Sequence, residues 1–129
     1  LLGLRDVDAG ERRRIKELGV RAFSMMEIDR LGMVRVMEEA IALVGEGPAS
    51  VHLSFDMDGI DPHEAPGVGT PVRGGLTYRE AHLAMEMLAE ADVLGSFEVT
   101  EINPILDERN RTAELAVELI LSALGKSTL

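Results

Sequence analysis

Two aspartates one residue apart, Asp56 and Asp58, close the apolar run VHLSF that begins at Val51, and Asp61-Pro62 follows at once. Carboxylates this close repel one another unless a cation or a proton lies between them. If one strand runs through VHLSFDMD, its side chains alternate. Val51, Leu53, Phe55 and Met57 then share one face, and His52, Ser54, Asp56 and Asp58 share the other. The pleat would aim Asp56 and Asp58 the same way, with Cα atoms roughly 6.5–7 Å apart. Such a pair suits hard divalent ions, and oxygen-only ligands favour manganese or magnesium over copper. The same spelling also suits a plain turn at a strand end, with Asp61-Pro62 as its corner. Other acids recur at comparable places: Asp6 and Asp8 follow a short apolar segment at the start, and Glu101 ends a later one.

The elements that must position these acids alternate short apolar runs with helical periodicity, the pattern of a parallel α/β sheet. Leu1–Leu4 reads as a strand. Asp8-Ala-Gly-Glu11 has the Asp-x-x-Glu spelling of a helix start, and that helix stops at Gly19. VRAFSM, from Val20, reads as the second strand. A helix is expected from about Asp29 to Val44, with Met33, Met37, Ala40, Ile41 and Val44 on one face and Gly45 as its stop. GEGPAS, Gly45 to Ser50, is a turn, and VHLSFDMD is the third strand. The loop from Gly59 to about Leu76 holds five glycines and three prolines. Loops of this length are often functional. Thr77-Tyr-Arg-Glu80 is a capping box. The helix it opens should turn Ala81, Ala84, Met85 and Leu88 inward, and Arg79, His82, Glu86 and Glu90 outward. FEVTEIN, Phe97 to Asn103, reads as the fourth strand. The last helix runs from about Asn110 to Leu124, with Ala113, Ala116, Val117, Ile120, Leu121 and Leu124 at core spacing. This order with right-handed crossovers predicts part of a three-layer α/β/α fold around a parallel central sheet. Ligands of such sheets bind beyond the carboxyl ends of the strands, where the acids lie.

The 129 residues suffice for one domain with a core, at 46% hydrophobic and 28% charged. A net charge of −10 argues against nucleic acid and against an anionic membrane surface as partners. It fits a cationic ligand, although most acidic proteins are simply soluble. The absence of cysteine removes disulfides, thiolate metal sites and cysteine nucleophiles, and agrees with a reducing, cytoplasmic setting. No apolar run approaches the roughly 20 residues of a membrane span. The chain opens on LLGLR, without Met or a polar lead-in, as a piece of something longer would.

FDMDG after an apolar strand resembles the opening motif of the haloacid-dehalogenase-type phosphatases, in which the first aspartate is a nucleophile beside magnesium. That chemistry also needs a downstream lysine and acidic pair. The only lysines are Lys16 and Lys126, and no acidic pair ends a later strand, so this reading ranks last. A longer match decides between them. SFDMDGIDPHEAPGVGTPVRGGLTYRE, Ser54 to Glu80, resembles the ureohydrolase family and its arginase branch in particular. That signature is S-x-D-x-D-x-x-D-P, then G-T-P, then G-G-L-T-x-R-E. LGLRDVDAGE, Leu2 to Glu11, and EVTEINPILD, Glu98 to Asp107, resemble two further arginase segments, in the same order. Agmatinases share the aspartate signature; R-D-V-D-x-G-E and G-G-L-T-Y-R-E favour arginase.

The resemblance implies an arginase/deacetylase-like fold and a pair of Mn²⁺ ions held in part by Asp56 and Asp58. Those ions would acidify a shared water, and the hydroxide would attack the guanidinium carbon of L-arginine, giving ornithine and urea. Glu101 would pair with the guanidinium, Thr70 would lie near that pocket, and Asp8, with Glu11, would receive the α-amino group. Each has a plainer role open to it. Asp8 and Glu11 equally suit a helix cap, Thr70 a glycine-rich turn, and Glu101 an exposed strand end. Asp61 reads as structural, bonding the turn before Pro62. Arg79 and Glu80 read as surface or subunit-contact residues. No metal role is expected of His52, His63 or His82, and Arg73 has no assigned role. The family's other metal ligands, on G-G-D-H and D-A-H-x-D segments, are absent, as is its proton-moving histidine. Residues 1–129 are therefore expected to be the C-terminal portion of a single ureohydrolase domain, inactive alone. The intact family forms trimers or hexamers, and the exposed edge of a cut sheet would favour self-association. Two other functions stay open: hydrolysis of agmatine or another guanidino compound, and a noncatalytic assembly module.

Overall fold

The computed structural model of the chain describes residues 1–45 and 50–126. The elements in order are β1 (Leu2–Leu4), α1 (Ala9–Leu18), β2 (Phe23–Ser24), α2 (Met25–Leu31), α3 (Met33–Gly45), β3 (Val51–Asp56), α4 (Tyr78–Glu90), β4 (Leu94–Thr100) and α5 (Arg111–Ala123). The turn expected over Gly45–Ser50 falls largely on residues 46–49, outside the described residues. No described helix is long and apolar enough to cross a membrane.

The fold is α/β with parallel strands, as expected, and among the described residues the strands form two pairs. β1 lies parallel to β2, and β3 lies parallel to β4 from Val51↔Leu94 to Asp56↔Thr100. The β3–β4 register separates two faces. Leu53, Phe55, Phe97 and Val99 pack toward Met85 of α4 and Ala116, Leu119 and Ala123 of α5. The other face is a polar ladder. His52 Nδ1 and Ser96 Oγ lie 2.9 Å apart, and Ser54 Oγ donates to Glu98 Oε1 at 2.9 Å.

Local chemistry sets the helix ends. Asp8 and Glu11 form a complete capping box for α1, and Gly19 closes that helix at φ 65°. Thr77 and Glu80 do the same for α4. A third box, Ser24 with Glu27, opens α2 and shortens the strand expected from Val20 to Phe23–Ser24. The single helix expected from Asp29 to Val44 is two helices, because Gly32 at φ 81° ends α2 before α3 begins.

Two faces differ from their expected orientation. On α5 the buried residues are Thr112, Leu115, Ala116, Leu119, Ser122 and Ala123. Val117, Leu121 and Leu124, expected inside, are 56%, 37% and 69% exposed. The helix is apolar on more than one side, so spacing alone does not choose its rotation. Polar contacts of Thr112 and Ser122 choose it. On α4, His82 is buried rather than outward. Its Nδ1 lies 2.9 Å from Ser122 Oγ, and its ring centroid lies 4.3 Å from that of Tyr78, the two planes tilted by 43°; the Tyr78 hydroxyl donates to Glu118.

Burial lowers the His82 pKa, and the nearby Glu118 and Glu86 only partly oppose this. The folded state therefore favours neutral imidazole. Its contribution is complete above the ordinary histidine value and is lost as pH falls below about 6.5. The urea midpoint is expected to fall between pH 7.5 and 5.5, and His82→Leu to remove that part of the slope. An unchanged slope would mean that His82 accepts its proton without cost.

Candidate metal and substrate site

β3 ends at Asp56 because the chain turns there. Met57–Gly59 form one 3-10 turn, with Met57 fully buried beneath it. Asp56 caps the turn: its Oδ1 accepts from the Asp58 N–H at 2.8 Å. Strand pleating therefore does not reach Asp58. A cap and a turn relate the two aspartates, in place of the expected alternation.

The loop after the turn is held from several sides. Leu76 N–H donates to Gly59 O at 3.0 Å and Asp61 N–H to Leu76 O at 2.9 Å, so residues 59–61 and 76 run side by side. Asp61 does what was expected of it, and more. Its Oδ1 accepts from the His63 N–H at 3.0 Å, and its Oδ2 from Gly74 and Gly75 at 2.8 and 3.3 Å. The hydrogen bond from the His63 backbone is the largest influence on its pKa. With those from Gly74 and Gly75 it outweighs desolvation and holds the carboxyl down at about 2.

Further along the loop, Gly67 O accepts from the Asn103 N–H at 2.8 Å, and Val68 bridges Ile102. A methyl at Gly69 would stand 3.6 Å from Glu101 Oε2. Glu101 follows β4 directly, in the left-handed region at φ 64°. Thr70 Oγ1 donates to Asp58 Oδ2. Asp56 is in register with Thr100, next to Glu101. Asp56, Asp58, Thr70 and Glu101 thus gather at the carboxyl end of the β3–β4 pair.

Asp58 Oδ1 is buried and has no hydrogen-bond partner. A buried carboxylate oxygen left in this way is costly unless a cation or a proton meets it. A hard divalent ion fits that atom, and the partners already held by Asp56 Oδ1 and Asp58 Oδ2 leave Asp58 Oδ1 free for it. The set is incomplete: among the described residues, no three His, Asp or Glu side chains are grouped to hold a metal ion. His52 and His63 bond to Ser96 and Asp61.

Asp8 and Glu11 act as caps in the structure. Asp8 Oδ1 accepts from Gly10 and Glu11 at 2.6 and 3.0 Å, and Glu11 Oε2 from Asp8 N–H at 3.3 Å. The contact between their segment and the loop is made by Arg5, which sequence reasoning missed. Its guanidinium donates to Asp58 O at 2.6 Å and twice to Val72 O, at 2.7 and 3.1 Å. The signal for it was a lone cation inside R-D-V-D, with two acids beside it and no helix to place on the surface. Arg79 pairs with Glu86 at 3.4 Å, away from this rim. Nothing in the structure explains Arg73.

Comparison with known proteins bears on these residues as a set. The profile of the Arginase family matches residues 1–125. The arginase of Bacillus caldovelox is 60% identical over 126 residues, which cover 98% of this chain and 42% of that protein. Its native structure at pH 5.6 superposes with a TM-score of 0.98, over 100% of this chain and 43% of that one, at 59% identity. Entamoeba histolytica arginase in complex with L-ornithine matches with a TM-score of 0.89 at 31% identity, over 97% of this chain and 42% of that one. The chain therefore spans less than half the length of these relatives.

Proposed function

Since the chain belongs to the arginase family, we propose that it supplies part of the active site of a manganese-dependent arginase, which hydrolyses L-arginine to L-ornithine and urea. The observation that carries this reading is the buried, unpartnered Asp58 Oδ1 at the strand end. Asp56 and Asp58 would hold two manganese ions together with ligands from the rest of the domain. The chemistry that bound manganese supplies is an acidified water, available as a nucleophile near neutral pH.

This chain's own residues orient the substrate. Thr70 fixes Asp58 through Oδ2 and leaves Oδ1 to face the cation. Glu101 offers two oxygens to a planar guanidinium, a bidentate match that orients the carbon for attack. Asp8 and Glu11 receive the α-amino group at the other end of arginine; the Arg5 contact holds their segment against Asp58. Agmatine keeps both the guanidinium and this amine and lacks only the α-carboxylate, so Asp8 and Glu11 alone do not separate the two substrates. The ornithine complex of the Entamoeba enzyme supports an amino-acid product.

We place the chain as the C-terminal portion of a cytoplasmic ureohydrolase domain that assembles as a trimer or hexamer. With manganese, the chain alone is expected to produce no urea. Addition of the complementary N-terminal portion should restore production, and Asp58→Asn should then lower it by about a hundredfold or more. Robust urea production by the chain alone would overturn the partial-site reading. The second reading, a noncatalytic assembly module, is favoured by the exposed Val117, Leu121 and Leu124 on α5. Light scattering beside manganese titration of the same sample separates the two. Self-association without metal binding favours the module, and metal binding without self-association favours the site.

A further inference from the structure

We propose that Asp107 and Thr112 are positioning residues for this site, forming a clasp that sets Glu101 relative to Asp58 by gripping the loop at Gly67. The names of the carboxylates rest on the arginase reading; the clasp itself does not.

The start of α5 is unusual. Its N-cap residue, Asn110, sits in the left-handed region at φ 61° and makes no side-chain cap. Asp107, three residues earlier, takes over. It accepts from Thr112 N–H at 3.1 Å and Ala113 N–H at 3.3 Å, so it satisfies donors that the helix leaves free. Burial pushes the Asp107 carboxyl up, but these bonds and those from the Thr112 hydroxyl and Glu108 outweigh it and hold the pKa down.

The Thr112 hydroxyl works in both directions. It donates to Asp107 Oδ1 at 2.9 Å and accepts from the Gly67 N–H at 2.7 Å. Thr112 is fully buried, so water does not replace either partner. Gly67 is gripped from its other side by Asn103, which donates to Gly67 O. The fit excludes a side chain: a methyl at Gly67 would lie 2.4 Å from Asp107 Cβ. Beyond the clasp come Val68, bridged to Ile102, then Gly69, where an added methyl would stand 3.6 Å from Glu101 Oε2, and Thr70 on Asp58. Three residues of chain span at most about 10 Å. Little slack separates the clasp from the carboxylates, and a hydroxyl on α5 controls where both stand.

The test is nuclear magnetic resonance on the labelled chain, comparing Thr112→Val, which keeps the shape, with Thr112→Ser, which keeps the hydroxyl. In Thr112→Val, amide exchange at Gly67 and Asn103 is expected to rise about tenfold or more. The Val68–Ile102 bridge, next to Glu101, should weaken, while the β3–β4 amides exchange as before. Thr112→Ser should keep the bridge. Where Thr112→Val does not fold, Thr112→Ala, which also removes the hydroxyl held by Gly67, makes the same comparison. Faster exchange at Gly67 with the Val68–Ile102 bridge unchanged would overturn the proposal, as would equal loss of all protection in both Thr112 variants. Neither manganese nor arginine enters the measurement, so failure of the arginase reading and failure of the clasp give different results.

Discussion

Gly75→Ala is expected to destabilise the chain by about 3 kcal/mol or more, and to do so by forcing apart the loop that carries Thr70. A Cβ at Gly75 would stand 2.6 Å from Asp61 N and Ile60 C, and 2.8 Å from Gly59 O. All three are backbone atoms, so no side chain can rotate away. The backbone itself is pinned by the Leu76–Gly59 and Asp61–Leu76 hydrogen bonds and by the Ile60↔Leu76 bridge. Relief requires breaking those bonds, which frees the turn beneath Asp58. Urea denaturation followed by circular dichroism reads the loss. A change below about 1 kcal/mol, within reach of an ordinary surface substitution, would show that the two segments part easily.

Asp61→Asn is the second large effect, and it carries a pH signature. The wild-type carboxylate is one-fifth exposed and accepts from three backbone N–H groups. Its folded pKa of about 2 lies below the unfolded value of 3.8. A depressed carboxylate stabilises the fold above the unfolded pKa and loses that contribution as pH falls toward the folded one. The window is therefore pH 4 down to 2, and the contribution at neutral pH is about 2 kcal/mol. An amide has one acceptor oxygen and no charge, so Asp61→Asn should lose most of this at pH 7. The gap between wild type and variant should close toward pH 2. A gap that stays constant from pH 5 to pH 2 would assign the cost to shape instead of charge.

Much of this was legible where a local rule governs one stretch of backbone. The Asp8/Glu11 and Thr77/Glu80 boxes lie where their spelling put them, because a side chain three residues from a free N–H has few other partners. The inner residues of α4 follow the same local logic. Asp61 as a turn residue was legible for a related reason, although its reach to Gly74 and Gly75 was not. What escaped depends on contacts distant in sequence. Strand alternation was carried two residues too far, since nothing local shows that Met57 is buried under a turn. The rotation of α5 is decided by Gly67 and His82, 45 and 40 residues from their partners Thr112 and Ser122. Arg5 speaks to carbonyls more than 50 positions away, and carbonyls leave no mark in a sequence. Asp8 and Glu11 show the opposite case: their capping is fully local, and any role toward substrate depends on atoms that only a ligand would reveal.

The β3–β4 ladder joins residues 44 positions apart, as in the bond from Ser54 to Glu98. Closing a segment of that length costs about 3 kcal/mol of chain entropy before the first cross-strand bond forms, and parallel pairings are slow to nucleate for this reason. The capped helices can begin to form within their own turns; the ladder must wait for α4 to swing the chain back. Glu101 and the two aspartates sit at the far end of that ladder. Until that long-range pairing has formed, a chain still in search of its topology carries its carboxylates apart.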